Sequence, residues 1–160
     1  MIELRSVAAS DLRPNPKNWR THPREQAAAL RGVLAEVGIA DAVLARELAD
    51  GSLMLIDGHL RANVLPDQNI PVLVLDVDEG EADKLLLMLD PLAAMAGSNT
   101  EMLRELMENV ATSDESLAAM LEDVAAAAGI IPAERSEKTA EAKAADCRCP
   151  RCGAAVEEGE

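Results

Sequence analysis

In LMLIDGHLRANVL, residues 53–65, an apolar run turns at Asp57-Gly58 into a short helical pattern. Asp57, Gly58, His59 and Arg61 gather at that corner. The first N–H groups of a helix lack intrahelical partners and carry partial positive charge, so a phosphate placed there satisfies both. Gly58 would let the backbone approach the anion. Arg61, one turn in, offers a forked donor to phosphate oxygens. His59 could donate a hydrogen bond or move a proton. Asp57 could ligate Mg²⁺ or accept a proton from a hydroxyl. Each residue also has a plain role: Asp57 as a helix N-cap, Gly58 as a turn, His59 on the surface, Arg61 lying along the helix. A single Gly-His-x-Arg is a weak pattern by itself.

A second group lies in DLRPNPKNWRTHP, residues 11–23. Three prolines and two asparagines demand an extended, turn-rich loop. Asn15 and Asn18 serve either loop geometry or a ligand. Trp19 packs at an edge or stacks on a base. A third group is Cys147, Cys149 and Cys152 in DCRCPRCGAAVEEGE. Cys149-Pro-Arg-Cys152 has the spacing of a zinc knuckle, but structural zinc takes four ligands and this stretch offers three. Two chains could share one site through Cys149 and Cys152, Cys147 could complete a weak site within one chain, or the tail binds no metal. Zinc here would be structural.

The elements that must position these groups follow from periodicity. IELRSV near the start is a strand. In PREQAAALRGVLAEVG, with Pro23 as first helical residue, Ala27, Leu30, Leu34 and Val37 form one apolar face. AVLAREL and SLMLID are strands joined by a hairpin turn at ADGS. GHLRANVL is a short helix ended by Pro66. NIPVLVLDVD is a strand suited to a central position. EGEADKLLLMLDPLAAMAG is helical and interrupted near Pro91. SNTE and TSDE read as capping boxes, from Ser98 and from Thr112, and open two amphipathic helices. These form a helical hairpin that covers the sheet or pairs with another protomer. The expected organisation is a domain over 1–96, a hairpin over 97–130, a linker over 131–146 and a cysteine tail over 147–160.

Composition narrows the function. The 160 residues are 49% hydrophobic, enough for a core, yet Trp19 is the only aromatic, which argues against single strands held by base stacking. Net charge is −14. Residues 1–75 carry eight Lys/Arg against nine Asp/Glu, and residues 76–160 carry seven against twenty. The second part would repel DNA phosphates. No apolar run has the length of a membrane span, no signal-peptide pattern opens the chain, and three cysteines suit a reducing cytoplasm.

Taken in order and spacing, the early Asn-Pro loop with Arg20, the helix, the two strands, the Gly58-x-x-Arg61 corner and the IPV strand resemble the ParB N-terminal and sulfiredoxin superfamily over about residues 2–96. The pattern is nearest to orphan ParB-like proteins of phages and mobile elements. The resemblance implies an α/β (α+β) fold with a small mixed sheet and packed helices. It implies nucleotide phosphates at Gly58 and Arg61, with Arg20 facing the nucleotide. Asp57 matches an aspartate that a kinase branch uses to activate an acceptor hydroxyl. His59 stands where partitioning ParB has glutamate and sulfiredoxin cysteine. Without that cysteine, sulfiredoxin chemistry is excluded. LMLDPLAAMAGSN does not match the second phosphate box of CTP-hydrolysing ParB, and no basic helix-turn-helix follows.

The expected function is binding of a nucleoside triphosphate with Mg²⁺ at the DGHLR corner, with hydrolysis or phosphate transfer through Asp57 and His59. Arg20, Asn18 and Trp19 would be further contacts. The alternative is a non-catalytic adaptor that recruits a phage DNA-modifying or DNA-packaging partner. It would dimerise through the hairpin or a shared zinc site. Direct DNA binding is the least favoured.

Overall fold

The computed structural model describes residues 2–130. The linker and the tail with Cys147, Cys149 and Cys152 lie outside them. Strands β1 (Glu3–Ala8), β2 (Leu12–Arg13), β3 (Val43–Glu47), β4 (Leu53–Asp57) and β5 (Asn69–Leu75) form one sheet in the order β1-β5-β3-β4-β2. Pairings alternate along it: β1/β5 and β3/β4 are antiparallel, β5/β3 and β4/β2 parallel. The helices are α1 (Arg24–Glu36), α2 (His59–Val64), α3 (Glu79–Ala94), α4 (Thr100–Glu108) and α5 (Glu115–Ala127). The α+β class, the mixed sheet and the packed helices agree with the sequence reading.

β3 is the central strand, and β5 lies one place out between β1 and β3. In β5 only Ile70, Val72 and Val74 are buried, which is the alternation of a strand with one covered face. The core joins these to Val43, Ala45, Leu53, Leu55 and Ala62. All are aliphatic, so packing rests on shape rather than rings. A register shift at Leu44/Ala45 interrupts the β3/β4 ladder one strand from the corner.

Several local expectations are corrected. Pro23 is the N-cap of α1 rather than its first residue. The buried side of α1 is Ala29 and Gly32, while Val37 is exposed. The reason is α5, which packs on α1 and seats its N-terminus at Gly32. Pro91 does not interrupt α3, which runs on to Ala94. Proline costs the bond back to Leu87, and the Met95 N–H closes the last turn on Pro91 and Leu92 oxygens. The N-caps of the last two helices are Asn99, accepting from Glu101 and Met102 N–H, and Asp114, accepting from Leu117 N–H. Thr112 is not a cap. Its hydroxyl donates to Glu36 at 2.7 Å, and Ser113 N–H donates to the same oxygen at 3.0 Å. These bonds, the Thr112 hydroxyl first, hold the Glu36 carboxyl below its ordinary pKa and tie α1 to the α5 start.

A methyl at Gly32 would stand 2.6 Å from the Asp114 carboxylate. Helix propensity favours Ala over Gly by about 0.5–1 kcal/mol. The displaced Asp114 would surrender its cap on Leu117, at about 1 kcal/mol. Gly32→Ala should therefore gain no stability and should loosen α5. Hydrogen exchange of α5 amides reads this out: faster exchange confined to residues 115–127 is expected, and unchanged protection would refute the packing role of Gly32.

Candidate functional site

The corner stands where β4 ends. Gly58 takes φ +88°, a left-handed conformation, as N-cap of α2. A β-carbon there would lie 2.5 Å from Val43 Cγ1 and 3.2 Å from Arg61 Nε. The glycine is thus required by the turn and by the close pass of β3, apart from any ligand. From α2, Arg61 reaches back: Nη2 donates to Asp57 Oδ2 at 2.8 Å and Nη1 to Asp41. Asp57 is therefore the partner of Arg61 and makes no cap bond to α2.

His59 is buried beneath the corner at 8% exposure. Its Nε2 accepts the backbone N–H of Asn15 at 3.2 Å. Only a neutral ring with an unprotonated Nε2 can do this. Burial, the largest effect, lowers the His59 pKa; the Asp57 charge opposes it and His22 adds to it. His59 is thus the post to which the early loop is fixed. Asn15, itself buried, turns the loop by accepting Lys17 N–H on Oδ1 at 2.9 Å. Asn18 accepts Arg20 N–H on its own side-chain oxygen at 3.3 Å.

Beyond Asn15 the loop is strapped along α3, tie by tie. Lys17 Nζ meets Glu79 and Asp83 at 2.8 and 2.6 Å. Trp19 Nε1 donates to the Leu86 carbonyl at 3.2 Å. Arg20 Nε donates to Asp90 at 2.5 Å, with its guanidinium 4.8 Å from the indole centre. Loop, corner and α3 enclose a cleft of about 300 Å³. Arg20, Asn18, Asp57, Gly58, His59 and Arg61 all line it. Residues forty apart in sequence therefore share one concave site. Trp19 is not in the lining and stands beside it, half exposed.

Sequence reasoning missed the carboxylates that answer the two arginines. Asp90 lines the cleft and pairs with Arg20, and Asp41 pairs with Arg61 from outside it. His22 and Gln26, joined at 3.0 Å, close one wall. Nothing in the local sequence marks Asp41 or Asp90. Among the described residues no group of three or more His, Cys, Asp or Glu is gathered to hold a metal.

His59 makes the fold sensitive to acid. Its folded pKa lies below the ordinary 6.5, so its contribution is complete above that value and is lost as pH falls through the folded pKa. Denaturant melts from pH 7.5 to 5 should show stability falling below pH 6.5, a slope that His59→Gln removes. The same slope in wild type and variant would overturn the assignment.

No family model matches the chain, and no curated protein does. Among solved structures, the chain is similar to the C-terminally truncated chromosome-partitioning protein ParB from Caulobacter crescentus complexed with CTP-gamma-S. Identity is 19%, 90% of this chain and 88% of that chain are covered, and the TM-score is 0.57. The chain thus has a ParB-N-like fold. The same ParB complexed to the centromeric parS site matches at 18% identity over 87% and 78% of the two chains, with a TM-score of 0.44. A Pnob8-like ParB-N domain matches at 17% over 86% and 52%, with a TM-score of 0.47. The fold assignment rests on the first. No helix among the described residues is long and apolar enough to cross a membrane.

Proposed function

We propose that this chain is a ParB-like nucleotide-binding protein whose cleft takes the phosphates of a nucleoside triphosphate. One observation carries the reading: Arg20 of the loop and Gly58 and Arg61 of the corner line a single cleft. Arg61 and Arg20 would hold the phosphates, and Gly58 would let the chain pass close to them. CTP is the first nucleotide to try, because the similar ParB structure holds a CTP analogue.

The cleft in its free state is self-neutralised. Asp57 and Asp41 hold Arg61, and Asp90 holds Arg20. A phosphate must take the Arg61 fork from its carboxylates, while Arg20 is held to Asp90 through Nε, so binding at Arg61 trades ion pair for ion pair and depends on salt. Mg²⁺ suits this trade. It commonly binds through one or two carboxylates plus substrate phosphates, and Asp57, released by Arg61, is the carboxylate at hand. The metal would neutralise phosphate charge. If a phosphoryl group is transferred, Asp57 is the base on this chain, because His59 is committed through Nε2 to Asn15. His59 then acts by holding the loop that carries Arg20.

Trp19 reports on the loop. Titration with CTP, ATP and GTP, with and without Mg²⁺, should give a saturable change in its emission for one nucleotide. Calorimetry checks the result, and product analysis separates binding from turnover. No heat and no emission change with any nucleotide would end the proposal.

A second reading, an adaptor without catalysis, draws on α4, where Leu103 and Met107 are half-buried but Met102 and Leu106 stay exposed. The cleft favours the first reading, because a scaffold needs neither arginine there.

A further inference from the structure

β1 closes one side of the sheet, and among the described residues no strand pairs with its outer edge. Two observations show which backbone groups that edge leaves open. The Ala9 N–H donates to the Gln68 carbonyl at 2.9 Å, one step along the ladder from the Ala8–Asn69 pair. Pro71, opposite Ser6, has no N–H to give. Bonded and non-bonded pairs alternate in an antiparallel ladder. Glu3, Arg5 and Val7 therefore bond to β5, and Leu4 and Ser6 turn their N–H and C=O groups outward.

One face of this edge is apolar. Leu4 stands opposite Leu73, and Leu73 beside Leu44, so three leucines form a row across β1, β5 and β3. Leu44 and Leu73 are half-buried, while Leu4, at the open end of the row, is 66% exposed. Proteins blunt such edges with proline or a bulge. β1 has no proline, and its register with β5 runs unbroken from Glu3 to Ala8. The edge thus remains competent to pair, and its sequence selects the strand it would take. Outward groups must meet outward groups, so an antiparallel copy of β1 pairs even positions with even. With Leu4 opposite Leu4, each Glu3 faces an Arg5 of the other copy. The next allowed registers on either side set Arg5 against Arg5 or Glu3 against Glu3, like charges directly opposed. Residues 1–9 carry one acid and one base, so the edge itself is neutral in a chain of net charge −14.

We infer that β1 is a docking edge for a second copy of the chain, antiparallel about Leu4, which joins two five-stranded sheets into one. Leu4 and Ser6 supply the main-chain hydrogen bonds, and the leucine row of one protomer continues into that of the other. A contact one strand wide is small, so the association is weak and depends on concentration. It is separate from the cleft, which no residue of β1 lines.

Residue-resolved amide exchange of the full chain, at about 50 μM and about 1 mM, tests this. The Leu4 and Ser6 amides should exchange at least about twofold more slowly in the concentrated sample. Arg5 and Val7, bonded to β5, should be protected equally in both. Leu4→Lys sets like charges at the two-fold axis, and Ser6→Pro removes an outward N–H that β5 does not use. Both variants should keep the circular dichroism spectrum and lose the concentration dependence. Exchange of Leu4 and Ser6 that ignores concentration would overturn the inference. A dimer in sedimentation whose Leu4 and Ser6 amides still exchange at the dilute rate would place the contact elsewhere and overturn it too. So would full protection of both amides in the dilute sample, which would give the edge to residues of the same chain outside 2–130.

Discussion

Arg61→Ala should weaken nucleotide binding by about a hundredfold or more and leave the protein folded. A hydrogen bond to a charged group contributes about 1.5–3 kcal/mol, and the Arg61 fork offers two of them to phosphate. Losing both exceeds the ~2.7 kcal/mol that a hundredfold change represents. The stability side is small. Arg61 is 20% exposed, but Asp57 and Asp41 are 39% and 73% exposed, so removing the guanidinium leaves hydrated carboxylates rather than buried charges. Exposed pairs of this kind contribute about 0–1 kcal/mol. Arg61→Lys keeps the charge without the fork and should fall between the two. Asp41→Asn relieves one competitor for Arg61 and should tighten binding. Trp19 emission and calorimetry on all four proteins give the order Asp41→Asn, wild type, Arg61→Lys, Arg61→Ala. A folded Arg61→Ala protein that binds like wild type would remove the corner from the site.

What could be read before the structure was what is local. The hairpin of β3 and β4 showed itself because two alternating strands flank ADGS. The corner, weak by itself, showed itself in company, because Gly58-x-x-Arg61 stands in order with the early Asn-Pro loop and the IPV strand. The carboxylates were invisible for the opposite reason: Asp41 lies 20 residues from Arg61 and Asp90 lies 70 from Arg20, and ordinary surface aspartates carry no sign of their partner. The face of α1 was read in part: Leu30 and Leu34 are half-buried and share a hollow with Val43 and Ile70, but the fully buried positions are Ala29 and Gly32, small residues that a hydrophobic pattern ignores. The caps were misplaced by one and two residues. Ser98, Asn99, Thr112 and Asp114 are all good N-cap types, and only the distant Glu36 decides that Thr112 is used elsewhere. His59 was read as a catalytic candidate by its chemistry. Its bond to the Asn15 N–H comes from a loop 44 residues away.

The largest loss of stability is expected from the smallest change, Gly58→Ala. Two costs add. The residue sits at φ +88°, where an L side chain costs about 1–2 kcal/mol. Its new methyl would also lie 2.5 Å from Val43 Cγ1 and 2.8 Å from Val43 Cβ, and Val43 is a central-strand core residue at 1% exposure that cannot move aside. Overpacking of that kind costs about 1–3 kcal/mol. The sum is about 3 kcal/mol, or some 10–20 °C in Tm for a domain of this size. The costs can be separated. Val43→Ala alone should destabilise by leaving a small cavity. Combined with Gly58→Ala it should recover the part of the clash made by Val43 Cγ1 and leave the Cβ contact at 2.8 Å and the backbone part, so the double variant should be more stable than the sum of the singles implies. Denaturant melts of the four proteins measure the coupling. Additive losses would mean that the Val43 γ-methyl is not what the alanine meets. The corner's glycine would then be required by its φ of +88° rather than by β3. Strong coupling would mean that β3 and the corner are built against each other, with Arg61 and the cleft held in place by that contact.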